Sequence, residues 1–220
     1  MRLTLSAAAL VAAVTAPLAA QDHAHDAKDA DHAAQGGGSA PAGWTVRADR
    51  ADASGARIEA MGKGLHLTLG PAIILYRADT RGSGPFHTLA TFTQTKPSEH
   101  AEGYGLFVGG KNLEGDAQQY LYFLIRQDGS YLIKRRSGDK TSDVSKGWVE
   151  HAAVKTPEGN GAVTNLLEID NKRDPSRLAF LVNGQEVYAT DAKGMALDGI
   201  VGIRANHNLD LHIEGFDVHR

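Results

Sequence analysis

The chain is 220 residues long, carries a formal charge of −3 and contains no cysteine. Without thiols there is no lipoprotein anchor, disulfide framework, thiolate catalysis or Cys-ligated zinc. The slightly acidic balance lacks the basic footprint that nucleic-acid binding requires, so no such partner is expected.

In chain order, residues 1–20, "MRLTLSAAALVAAVTAPLAA", read as a cleaved secretory signal. Arg2 supplies the positive start, Leu3 to Val14 the apolar run, and Pro17 to Ala20 the small-residue exit. The run falls short of the roughly 20 apolar residues a spanning helix needs, and no later run is longer, so no membrane insertion is expected. The mature chain is expected in a periplasm or outside the cell. Residues 21–43, "QDHAHDAKDADHAAQGGGSAPAG", lack large apolar side chains and read as a disordered tether. His23, His25, Asp26 and His32 there are of the type that catches a divalent metal, but a solvated linker accounts for them more simply.

From Trp44 onward the apolar pattern has period two. "LHLTLG" sets Leu65, Leu67 and Leu69 against His66 and Thr68. "FHTLATFTQT", "GYGLFVGG", "NLLEID", "RLAFLVNGQEVY", "GIVGIRA" and "LDLHIEGFDVH" follow as short β-rich runs between glycine or polar turns. Asp128-Gly129 and Asn183-Gly184 are pairs that tolerate positive φ, as two-residue hairpins demand. About a dozen strands at this spacing predict an all-β, single-domain sandwich or barrel over residues 44–220.

The stretch "YLYFLIRQDGSYLIKRR" mixes aromatic, aliphatic and cationic side chains. A two-residue turn at Asp128-Gly129 would set Arg126 opposite Tyr131 and Tyr122 opposite Arg135. Alternation then places Tyr120, Tyr122, Leu124, Arg126, Tyr131, Ile133 and Arg135 on one face, and Leu121, Phe123, Ile125 and Leu132 on the core face. A tyrosine–arginine face suits sugars, because rings cover the apolar side of a pyranose while guanidinium and phenol groups reach its hydroxyls or a carboxylate. Ordinary cross-strand pairing explains the same residues without a ligand. The candidate ligand-binding set is Tyr104, Tyr120, Tyr122, Arg126, Tyr131 and Arg135, with Trp148 a neighbour or a core residue.

"GYGLFVGG", the aromatic hairpin, "NLLEIDNKRDPSRLAFLVNGQEVY" and "GIVGIRANHNLDLHIEGFDVHR" together resemble the concanavalin A-like lectin/glucanase superfamily, especially laminin G-like bacterial domains. The resemblance implies a jelly-roll sandwich. Its relatives include 3-keto-disaccharide hydrolase domains and family 16 glycoside hydrolases. The "N-S-G-(I/V)-x-x-R" strand of the first group is missing. For the second, "LEIDNKRD" supplies Glu168 and Asp170, but Asn171, Lys172 and Arg173 stand where a further acid belongs. Glu168 and Asp170 share a strand face and could in principle form a glycosidase pair; a salt-bridged strand is the simpler account. Of His207, Asp210 and His212, all metal-ligating types, Asp210 and His212 share the polar strand face by alternation, and spacing offers no third ligand to that pair. No P-loop, G-x-S-x-G elbow or H-E-x-x-H site occurs. The expected function is carbohydrate binding by an exported sandwich, with a glycan or small sugar as partner. The alternatives are a glycoside-cleaving enzyme of the 3-keto-disaccharide hydrolase type and an envelope module that binds another protein. No cofactor is expected; calcium stays open, without a motif to assign it.

Overall fold

The computed structural model describes residues 34–35, 37–50 and 52–220; the stretch read as a signal and most of that read as a tether, with His23, His25, Asp26 and His32, lie outside the described residues. Among the described residues there are strands and turns and no helix, so none is long and apolar enough to cross a membrane. The strands are β1 (Thr45–Ala48), β2 (Ala56–Met61), β3 (Gly64–Leu69), β4 (Ile73–Gly82) and β5 (His87–Gln94). Next come β6 (Tyr104–Lys111), β7 (Gln119–Ile125), β8 (Ser130–Ser137), β9 (Lys140–Asp143) and β10 (Val149–Glu150). The chain closes with β11 (Val163–Asp170), β12 (Arg177–Val182), β13 (Gln185–Asp191), β14 (Gly199–Ala205) and β15 (Asp210–His219).

These strands make two antiparallel sheets. The first runs β1-β4-β14-β6-β7-β8-β10, with β9 also paired to β8, and the second runs β13-β12-β11-β5-β15-β3-β2. Alternation turns one face of each sheet inward. Leu67, Phe92, Leu106, Phe123, Ile133, Leu167, Phe180, Ile203 and Leu211 meet there in one buried core. The all-β sandwich expected from period two is what the chain forms.

Two local features depart from the sequence reading. First, the end of the stretch read as a tether is docked. The amides of Ala34 and Gly38 donate to the carbonyls of Gly55 and Ala56, and Ala40 packs against the core. Second, the β7–β8 hairpin has a three-residue loop, not two. The Arg126 amide donates to the Ser130 carbonyl and the Gly129 amide to the Arg126 carbonyl. Gln127 and Asp128 keep negative φ, and only Gly129, at φ 88°, enters the left-handed region; this is the turn-plus-bulge solution to a three-residue hairpin. The Asp128 carboxylate closes it by accepting from the Ser130 hydroxyl at 2.6 Å and pairing with Arg126 at 2.7 Å. The extra residue slips the register by one. Tyr122 stands opposite Lys134, Phe123 opposite Ile133 and Ile125 opposite Tyr131, and a one-residue slip moves every β8 side chain to the other face.

Asn183-Gly184, by contrast, does make the two-residue turn. Val182 pairs directly with Gln185, and both turn residues have positive φ, 52° and 77°.

Candidate functional site

The register decides which predicted site residues share a surface. Tyr104 is 0% exposed, packed against Phe92 between the sheets. Tyr131 joins the same core beside Phe123. Both leave the candidate set, because a ring between the sheets cannot meet a ligand. Arg135 stands opposite Leu121, on the side of the sheet away from Tyr122. The guanidinium of Arg126 lies 4.3 Å over the Trp148 ring while paired to Asp128, so turn and ring already hold it. Tyr120 and Tyr122 remain together on the outer face.

That outer face carries a second apolar cluster, formed by Ile74, Tyr76, Phe107, Leu113, Tyr120, Tyr122, Leu124 and Leu132, with Trp148 and Ile200 against it. Its aromatic rings form a run across β4, β6 and β7. Tyr76 and Phe107 are 6.5 Å apart, Phe107 and Tyr120 5.2 Å, and Tyr120 and Tyr122 5.7 Å. Phe107 can lie over β14 because Gly202 has no side chain; a Cβ there would stand 2.5 Å from the ring.

Beside this run sits an ion cluster that sequence reasoning did not find. Arg204 on β14 points outward from a strand whose Val201, Ile203 and Ala205 point into the core. Its two terminal nitrogens donate to the two carboxylate oxygens of Asp49, each at 2.5 Å, a bidentate grip. Arg136 on β8 reaches the same carboxylate at 3.3 Å. Burial alone would raise the Asp49 carboxyl; Arg204, with Arg136 and Arg47 nearby, holds it down at about 2. Burial pushes Tyr122 up to about 12, against the opposing pull of Arg204, whose guanidinium is 6.0 Å from its ring. Outward Arg204 within a buried strand was the available signal, but its partner lies 155 residues away in the chain.

Several polar atoms here are buried without a hydrogen-bond partner: the hydroxyls of Tyr76 and Tyr120, Nη1 of Arg47 and Nε of Arg204. Such atoms are uncommon because each forgoes its water for nothing. Tyr120 and Arg136 also line a small cleft with Arg135 and the Met195–Leu197 segment at the end of the hairpin. Tyr120 and Arg135 therefore meet at this cleft although they belong to opposite faces.

The second sheet holds the other sequence candidates apart. Glu168 pairs with His87 at 2.9 Å. Asp170 accepts from the backbone amides of Lys172 and Arg173 and pairs with the Arg173 side chain. Each carboxylate thus has its own partners within the protein. His207 pairs with Glu102, His212 with Glu214, and Asp210 with His66. Among the described residues no group of three or more such side chains is placed to hold a metal.

No protein-family model matches the chain, and no curated protein matches it. Solved structures do. The carbohydrate-binding module CBM66 from Bacillus subtilis is similar over 81% of this chain and 96% of its own, with a TM-score of 0.59 at 10% identity. The fold is a galectin-like β-sandwich. The same architecture appears in a Bacillus subtilis protein of unknown function with a galectin-like fold, at TM-score 0.54 and 11% identity over 80% of this chain and 88% of that one. The metal-free carbohydrate recognition domain of Emp46p is similar at TM-score 0.54 and 14% identity, again over 80% and 88%. At such identities the likeness is one of fold.

Proposed function

We propose that this chain is an exported carbohydrate-binding β-sandwich that holds its sugar at the cleft where Tyr120, Arg135 and Arg136 meet the Met195–Leu197 segment. The observation that carries the reading is that cleft, which sets a ring with an unpartnered hydroxyl beside two guanidinium groups. Rings suit the C–H face of a pyranose, and phenol and guanidinium groups suit its hydroxyls. The folds of the carbohydrate-binding neighbours support the reading, as does the leader-like start of the chain for export. The paired state of Glu168 and Asp170 favours binding over glycoside cleavage.

Tyr120→Phe provides the test. The Tyr120 hydroxyl has no internal partner, so its removal should leave the denaturation midpoint unchanged or slightly raised. A sugar that uses the hydroxyl should bind about fivefold more weakly, the loss of roughly 1 kcal/mol expected for one hydrogen bond. Binding is read by calorimetry with the best ligand from a glycan array. A chain that binds no glycan on the array overturns the reading.

A further inference from the structure

The Tyr120 cleft does not stand alone. It holds about 80 Å³, less than the ~300–1,000 Å³ of a typical small-molecule site. The Met195–Leu197 segment that walls it also walls a second, open cleft of about 320 Å³. Three residues reach at most about 11 Å, so one short ligand can occupy both. The clefts also join across the strand ends, because Lys111 of the larger one pairs on β6 with Gln119 of the smaller one on β7. The segment is a fixed wall. Leu197 is buried in the core, its amide donates to the Met195 carbonyl at 3.0 Å, and the Met195 amide donates to the Ala192 carbonyl at 3.1 Å. The Ala196 carbonyl lies so close to Gly109, at φ 68°, that a Cβ there would run into it. Around the larger cleft Pro85, Pro175, Met195 and Leu197 supply apolar surface, and Lys111, Asn171 and Asp198 supply polar atoms. Asp198 Oδ1 accepts from the Gly84 amide and Asn171 Oδ1 from the Phe86 amide, each at 2.9 Å. The second Asp198 oxygen stays available as an acceptor and the Asn171 amide group as a donor. Lys111 is exposed and, among the described residues, makes no hydrogen bond or ion pair; Arg135 at the smaller cleft is in the same position.

We infer that the bound carbohydrate is an oligosaccharide that crosses the Met195–Leu197 segment, with one unit at Tyr120 and Arg135 and a neighbouring neutral unit in the larger cleft, held by Lys111, Asn171 and Asp198. This rests on the carbohydrate-binding reading and extends it from one sugar to a chain. A hydroxyl both donates and accepts, so one sugar unit satisfies the Asp198 oxygen together with the Lys111 ammonium and the Asn171 amide. An acidic unit would set its carboxylate beside Asp198, a like-charge contact that costs affinity. The proline, methionine and leucine walls cover the C–H faces of the ring, and mostly apolar walls with a few placed polar groups are the usual make-up of a small-molecule pocket.

The full chain is titrated by calorimetry with gluco-, manno-, galacto- and galacturono-oligosaccharides, each as a ladder of one to six units. In the neutral ladder that binds, affinity should rise about tenfold or more with length, since one hydrogen bond to a charged group is worth that much, and then level off once both clefts are filled. Lys111→Ala and Asp198→Asn should each remove most of that gain and leave the affinity of the shortest member that binds unchanged. Asp198→Asn keeps the oxygen that accepts from the Gly84 amide, and circular dichroism checks that both variants are folded. Tyr120→Phe should instead weaken every member of the ladder alike, and Arg57→Ala, exposed on the second sheet, should change none. Equal affinity at every length overturns the oligosaccharide inference and leaves carbohydrate binding standing. A gain with length that survives both Lys111→Ala and Asp198→Asn puts the added units elsewhere and overturns the larger cleft as their place. A gain in the galacturonate ladder alone overturns the neutral unit. No binding to any ladder removes both readings.

Discussion

At the scale of single residues, Asn183 shows how one side chain can fix several segments. Its carbonyl oxygen accepts from the Leu166 amide at 3.0 Å, and its amide donates to the Ala153 carbonyl and to Asn165 Oδ1, each at 2.8 Å. It does this from a left-handed backbone that Asn tolerates better than most residues. Asn183→Ala should cost about 2–3 kcal/mol, because it strands the Leu166 amide and puts a non-Gly, non-Asn residue at positive φ. Its neighbour separates strain from crowding. A Cβ at Gly184 meets nothing within 4 Å, yet φ is 77°. Gly184→Val should therefore destabilise by roughly 1–2 kcal/mol from backbone strain alone. Urea denaturation of both variants checks these values, and an unchanged midpoint for Gly184→Val would mean that the turn relaxes freely. The pair Asn-Gly is a signal readable from sequence, since few other dipeptides support this turn.

At the scale of elements, the two hairpins explain what the sequence disclosed and what it hid. Period-two alternation marks a strand wherever one face is buried, which is why β3, β5, β11, β12 and β15 were legible. Register depends on the turn, and "RQDGS" allows either a two- or a three-residue loop. The Asp128–Ser130–Arg126 contacts favour the longer one, and no alternation rule contains them. The candidate site was therefore half legible. Tyr120 and Tyr122 sit before the turn and keep their face, while Tyr131 and Arg135 sit after it and lose theirs. Tyr131 gives a clean test of register. Buried at 5% exposure beside Phe123, its replacement by Ala should cost about 3 kcal/mol or more, in the class of Phe123→Ala at ~3–5 kcal/mol. A two-residue loop would have put Tyr131 on the outer face and made the change far milder. Denaturation of the two Ala variants side by side decides it.

At the scale of the whole molecule, Asp49 links parts of the first sheet that are distant in sequence and in strand order. It follows β1 at one edge, grips Arg204 on β14, and reaches Arg136 on β8 three strands further on. This makes its ionisation a property of the sheet. Its folded carboxyl titrates at about 2 against an ordinary 3.8, so the unfolded chain takes up its proton first as pH falls. The stability tied to this group is present in full above about pH 4 and is lost between about pH 4 and 2. From the size of the shift it amounts to about 2 kcal/mol. Asp49→Asn removes the charge at every pH and leaves Arg204 buried without its counterion, a loss that can reach ~3–5 kcal/mol when the pair is desolvated. The variant should therefore be less stable than the wild type at pH 7 by about 2 kcal/mol or more. The gap should narrow steadily as pH falls from 4 to 2, where the wild-type carboxyl itself becomes neutral. Asp128 and Glu186, whose carboxyls are also held low, titrate alike in both proteins and cancel in the difference. Urea denaturation of the two proteins at pH 7, 5, 4, 3 and 2 measures that gap. If it stays constant across the series, the Asp49 charge contributes nothing, and the three arginines are held by packing against the aromatic run alone.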